Sequence, residues 1–92
     1  MNTEKDLIFF YGLECPHCIE IEKHIDRLIE EGFNIEKLEV WNNKENDDFM
    51  LELDKGEECC GGVPFLINRK TGKSICGEAT YKDIKNWAEG KQ

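Results

Sequence analysis

Five apolar residues in a row, Leu7-Ile8-Phe9-Phe10-Tyr11, run into Gly12 and then into Cys15-Pro16-His17-Cys18. A run this short and aromatic, closed by a glycine, reads as a buried strand. Beyond it Cys18, Ile21, Ile25 and Leu28 recur at steps of three, four and three residues, which predicts a helix whose core-facing stripe opens with Cys18. Cys15 falls off that stripe. It stands at the helix mouth, where unpaired backbone N–H groups and the positive end of the macrodipole favour a thiolate over a thiol. Pro16 suits the first helical position, because its missing N–H is not needed there and its fixed φ already fits a helix.

The spacing therefore predicts two chemically unequal sulfurs, Cys15 exposed and easily ionised, Cys18 covered. A free cysteine titrates near about 8.5 and falls to roughly 3.5 to 7.5 at helix N-termini or beside a cationic histidine. His17 and Pro16 are the residues expected to tune Cys15, His17 by stabilising its thiolate. Glu14 acts against them through like-charge repulsion.

A chain of 92 residues bounds the molecule to one domain, residues 1–92, with room for a modest core. A hydrophobic share of 39%, spread over alternating apolar and polar segments, makes it globular rather than disordered. The net charge of −8 argues against nucleic acid and anionic membranes as partners, since phosphate binding rests on clustered Lys and Arg. No apolar stretch is long enough to span a membrane. Residues 1–6 are polar and no signal-peptide pattern follows, so a complete chain is expected in the cytoplasm, and as a monomer. Clustered cysteines in that compartment read as redox or metal sites. Five cysteines leave at least one unpaired in any single-chain disulfide scheme.

Taken in order, the pattern predicts a strand at about Asp6 to Tyr11 and a helix from Pro16 to about Glu31, stopped by Gly32. His24 lies on its outer face, paired with Glu20 at helical spacing. A second strand is expected at about Ile35 to Trp41. Asn42 with Glu45 resembles a capping box for a helix to about Lys55, with Phe49, Met50 and Leu53 inward and Gly56 at its end. Residues 57–64 have no period and read as a loop. Phe65-Leu66-Ile67, a turn at Arg69 to Gly72, and Lys73-Ser74-Ile75-Cys76 make a hairpin. Thr80 with Asp83 caps a last helix carrying Tyr81, Ile84, Trp87 and Ala88 on one face, up to Gly90.

A Cys-Pro-His-Cys after the first strand, Val63-Pro64 entering the third, then a hairpin and a closing helix: this arrangement resembles the thioredoxin fold in its compact glutaredoxin-like form. The resemblance spans nearly the whole chain and implies an α/β domain of order β-α-β-α-β-β-α, a four-stranded mixed sheet flanked by three helices. It implies that Pro64 is cis beside the reactive pair and that the Val63 backbone pairs with an extended substrate. An X-Pro bond is where a cis peptide is normally found, and such a bend would leave backbone groups near the cysteines for a peptide strand. Two departures stand out. Gly12-Leu13-Glu14 replaces the lysine that glutaredoxins usually carry before the first cysteine, and Cys76-Gly77-Glu78 replaces their Gly-Gly after the fourth strand, so tight glutathione binding is not expected.

The expected activity is thiol-disulfide exchange through Cys15 and Cys18 as catalytic pair. Disulfide-containing proteins would be substrates, a reductase or low-molecular-weight thiol the electron donor, and the redox-active disulfide itself would replace any cofactor. Cys59, Cys60 and Cys76 admit three readings. Pairing Asn68 with Lys73 opposes Phe65 to Cys76 and puts Cys76 at the end of the sheet where the loop with Cys59 and Cys60 lies. Cys76 is then a small buried apolar residue with Cys59 and Cys60 as loop thiols, or part of a second redox pair such as Cys60–Cys76 or Cys59–Cys60. Alternatively Cys15, Cys18 and Cys59 or Cys60 hold zinc or an iron–sulfur cluster.

Overall fold

The computed structural model describes residues 5–53 and 63–90. Its strands are β1 (Leu7–Tyr11), β2 (Ile35–Glu39), β3 (Phe65–Asn68) and β4 (Lys73–Cys76). The helices α1 (Pro16–Glu30), α2 (Lys44–Leu53) and α3 (Tyr81–Glu89) alternate with them in the order β-α-β-α-β-β-α. They form one four-stranded mixed sheet of order β2-β1-β3-β4, with β1 parallel to β2 and antiparallel to β3.

β1 lies inside the sheet and is covered on both faces. Side chains alternate along a strand, so Phe9, with Leu7 and Tyr11 beside it, enters one cluster while Ile8 and Phe10 enter the other. The first cluster joins Phe9 to Cys18, Ile21, Ile25 and Leu28 of α1 and to Ile84 and Trp87 of α3. The second joins Ile8 and Phe10 to Phe49 and Met50 of α2 and to Phe65, with the Phe10 ring 5.8 Å from Phe49 and 5.9 Å from Phe65. A strand with no solvent face has no use for polar alternation, which is why β1 is continuously apolar.

The ends of the elements follow local chemistry. α1 closes on Gly32 at φ 109°, a left-handed conformation open to glycine. There Phe33 N donates to Leu28 O and Gly32 N to Ile29 O, satisfying carbonyls the helix leaves over. α3 opens with the expected capping box between Thr80 and Asp83. The hairpin register is the one expected, Asn68 opposite Lys73 and Phe65 opposite Cys76.

Two boundaries differ. β2 stops at Glu39 rather than Trp41, and α2 is capped by Asn43, whose Oδ1 accepts from Asn46 N at 3.1 Å. Asn42 cannot cap, because its own N–H and side-chain amide are drawn back to the Glu39 carboxylate. The expected end of that helix at Lys55 and Gly56 lies outside the described residues.

Asn68 is 4% exposed and ties the hairpin to α3. Its Nδ2 donates to Trp87 O at 3.0 Å, and its Oδ1 accepts from Lys70 N and Thr71 N. Replacing it by Ala strands those partners and leaves a cavity, so Asn68→Ala is expected to cost about 2 to 4 kcal/mol, measured by denaturant unfolding.

Candidate active site

The segment between β1 and α1 is drawn into a tight turn, in which Cys15 N donates to Gly12 O at 3.1 Å. Cys15 is thereby left as the N-cap of α1 in extended conformation, with Pro16 at the first helical position. Its Sγ accepts the Cys18 N–H at 3.2 Å. A sulfur takes the place of the usual cap oxygen and satisfies one of the N–H groups that every helix start leaves over.

Burial differs from what the sequence predicts. Cys15 is 5% exposed, not open to solvent, and Cys18 is 1% exposed. The reason is the cap itself: turning Sγ back onto the helix N–H places Cys15 in the cluster that holds Phe9, Cys18, Ile21 and Leu66, with Val63 packed against it. The two sulfurs are therefore distinguished by hydrogen bonding rather than by exposure. Burial, and next the hydrogen bond to Cys15, push the Cys18 thiol up to about 12, so it is the sulfur that keeps its proton. Both cysteines are free thiols.

The Val63–Pro64 peptide bond is cis. Pro64 is buried and Val63 half-buried, packed against both clusters. Pro64 O accepts from Gly77 N at 3.0 Å, which fastens this bend to the segment after β4. That segment carries Glu78, whose Oε2 lies 2.8 Å from His17 Nδ1. His17 and Glu78 line a cavity of about 230 Å³ with Glu20, Ile21, His24 and Ala79. His24 is half-buried with its ring 5.7 Å from that of Tyr81, while Glu20 pairs with Lys23 rather than with His24.

A second carboxylate organises the opposite side. Glu39, at the end of β2, accepts from Leu13 N at 2.9 Å, Trp41 N at 3.1 Å and Asn42 N at 2.8 Å. Burial pushes its carboxyl up, but the backbone N–H groups of Asn42, Leu13 and Trp41 outweigh that and hold it below the usual carboxylate range. The bracket seats the Trp41 ring on Gly12, where an added Cβ would fall 2.3 Å from Trp41 Cδ2. Trp41 and Leu13 remain 54% and 63% exposed, an apolar surface on the loop that leads to Cys15. Sequence reading placed Trp41 only at a strand end and Glu78 only as a departure from the glutaredoxin pattern, and gave neither of them, nor Glu39, a role at the site. The signal for Trp41 was an aromatic placed just past a strand end, whereas the carboxylates carry no local mark, because their partners are far along the chain.

Cys76 is exposed at the end of β4 and disulfide-bonded. Neither Cys15 nor Cys18 is its partner, both being free. The expectation of a small buried apolar residue is therefore corrected for Cys76: β4 is the sheet's edge strand, and Cys76 is exposed at its end. A half-cystine also has no thiolate to give a metal. Cys59 and Cys60 lie outside the described residues, and with them the third ligand of the expected metal set. Among the described residues no group of three or more His, Cys, Asp or Glu is placed to hold a metal ion.

Two outcomes test this geometry. Gly12→Ala is expected to drive the Trp41 ring off the loop, at about 1 to 3 kcal/mol in stability, with red-shifted Trp41 emission read in a Trp87→Phe background. Glu39 titrates lower in the folded than in the unfolded chain, so its stabilisation is complete above the ordinary carboxylate range and fades as pH falls through the folded value. Glu39→Gln should therefore flatten the acid limb of the stability–pH curve, followed by urea unfolding.

No helix among the described residues is long and apolar enough to cross a membrane. No protein-family model matches the chain, and no curated protein matches it significantly.

Proposed function

We propose that this protein is a thiol-disulfide oxidoreductase with a thioredoxin-like fold in its compact, glutaredoxin-like form. The observation that carries the reading is Cys15 Sγ at the cap of α1, holding the Cys18 N–H at 3.2 Å, with the partner sulfur three residues on. One sulfur is supplied with a donor for its negative charge. The other is kept protonated until it is needed.

In the exchange, the Cys15 thiolate attacks one sulfur of a substrate disulfide. A mixed disulfide forms, and the other substrate sulfur leaves as a thiolate that takes up a proton. Cys18 then loses its proton and attacks Cys15 Sγ. The mixed disulfide breaks, the second substrate sulfur leaves, and Cys15–Cys18 is oxidised as the substrate gains two electrons and two protons. The order of events follows from what holds the Cys18 proton. Burial is one cause and the hydrogen bond with Cys15 another; the mixed disulfide removes the second, so Cys18 becomes easier to ionise once attack by Cys15 is complete.

With Cys15 only 5% exposed, a substrate sulfur has to displace the atoms that cover it, so access limits the rate along with thiolate content. The apolar surface formed by Pro16 and Val63, extended by Leu13 and Trp41, would receive the substrate chain, with the Val63 backbone offering it hydrogen bonds. A reductase or low-molecular-weight thiol would return the pair to the dithiol. No further cofactor is required. A monomer acting on protein disulfides in the cytoplasm, in the reducing direction, is the setting this reading favours.

The test is substitution of each sulfur. Cys15→Ser is expected to abolish insulin-disulfide reduction, and Cys18→Ser to trap a mixed disulfide with substrate, seen by mass spectrometry. A wild-type rate in both variants would refute the catalytic assignment. Stoichiometric zinc or iron in protein purified without chelator, together with no disulfide reduction, would refute it in favour of a metal-carrying protein.

A further inference from the structure

We infer that Glu78 is a positioning residue that sets the redox poise of the Cys15/Cys18 pair by neutralising His17. The inference rests on the exchange reading above and adds a residue that reading does not use. His17 stands between the two cysteines at the second position of α1, and its Nδ1 lies 2.8 Å from Glu78 Oε2. Glu78 is not a loose surface acid. On one side Gly77 N donates to Pro64 O at 3.0 Å, and on the other Thr80 and Asp83 form the cap of α3, so the carboxylate is carried on a short segment fixed at both ends.

The contact fixes the proton on the His17 ring at Nδ1 and turns only Nε2 toward anything else. It also decides how much charge the reactive pair feels. A lone imidazolium beside the cysteines would stabilise the thiolate of the reduced form and leave the disulfide unaffected, which makes a pair more oxidising. Paired with a carboxylate, its field at a distance largely cancels. Glu78 therefore keeps the couple more reducing than a bare Cys-Pro-His-Cys would be. The other ionisable groups around the shared cavity are Glu20 and His24, both on α1; neither makes the direct contact with His17 that Glu78 makes. Because His17 and Glu78 side chains are 62% and 75% exposed, solvent weakens the pair, and an effect of about two- to fivefold on the redox equilibrium constant is the scale to expect.

The experiment equilibrates the protein with glutathione, where two glutathione thiols reduce the Cys15–Cys18 disulfide to the dithiol and leave as one glutathione disulfide. Peptide mass spectrometry after alkylation reads the oxidised fraction at Cys15 and Cys18. Glu78→Gln keeps an acceptor for Nδ1–H and removes only the charge, while Glu78→Ala removes both. Each is expected to shift the equilibrium toward the dithiol by about two- to fivefold, and His17→Ala, which leaves the Glu78 carboxylate without the cation it offsets, is expected to shift it toward the disulfide. An unchanged or opposite shift in either Glu78 variant overturns the inference, as does a shift toward the dithiol in His17→Ala. A wild-type protein that forms no Cys15–Cys18 disulfide at any glutathione ratio overturns the exchange reading itself; one that equilibrates normally beside an unmoved Glu78→Gln sinks only the role of Glu78.

Discussion

A strand that must hide both of its faces dictates the rest of this molecule. The middle of β1, Ile8 to Phe10, shows nothing to solvent on either side of the sheet, so α1 and α3 close over Phe9 while α2 closes over Ile8 and Phe10. Ile8, Phe9 and Phe10 are fully buried, and burying each such side chain is worth roughly 1.5 to 3 kcal/mol. The parallel partner β2 can be reached only by a crossover through α1. The cysteines thus emerge at one end of the best-packed element of the fold, and the helix that carries them is pinned by its own apolar stripe.

At that end of the sheet, two carboxylates act on the two sides of the turn that carries Cys15 and Cys18. Glu39 gathers backbone N–H groups from the loop before Cys15 and from the loop after β2. Since a carboxylate accepting several such bonds is held strongly ionised, the turn is tied down by charge as well as by packing. Glu78 reaches His17 from the segment after β4. The site is therefore assembled from three separate connections, after β1, after β2 and after β4, and the Val63–Pro64 bend is fastened to the last of them through Pro64 O and Gly77 N.

The Cys15 sulfur illustrates how a local rule holds while its consequence changes. An N-cap cysteine just ahead of Pro16 was readable from the residues, and the cap hydrogen bond is present. Solvent exposure did not follow from it, because the geometry that lets Sγ accept the Cys18 N–H also places the side chain in the buried cluster against which Val63 packs. The Asn42 cap failed for a related reason. Asn42 and Asn43 are equal candidates locally, and the choice between them was made by Glu39, which removes Asn42 from competition.

The seven elements and their order, the hairpin register, the caps of α1 and α3 and the placement of Cys15 and Cys18 at the start of α1 were all determined by the sequence alone. Each depends on residues close together in the chain, through the strand period of two, the helical period of 3.6, and side chains that bond to backbone a few residues away. Tertiary structure alone decided the burial of Cys15, the seat of Trp41 on Gly12, the Glu39 bracket, the Glu78–His17 pair and the disulfide-bonded state of Cys76. Those contacts join segments far apart in the chain, and a distance in space between such segments has no period or motif by which the order of residues can announce it.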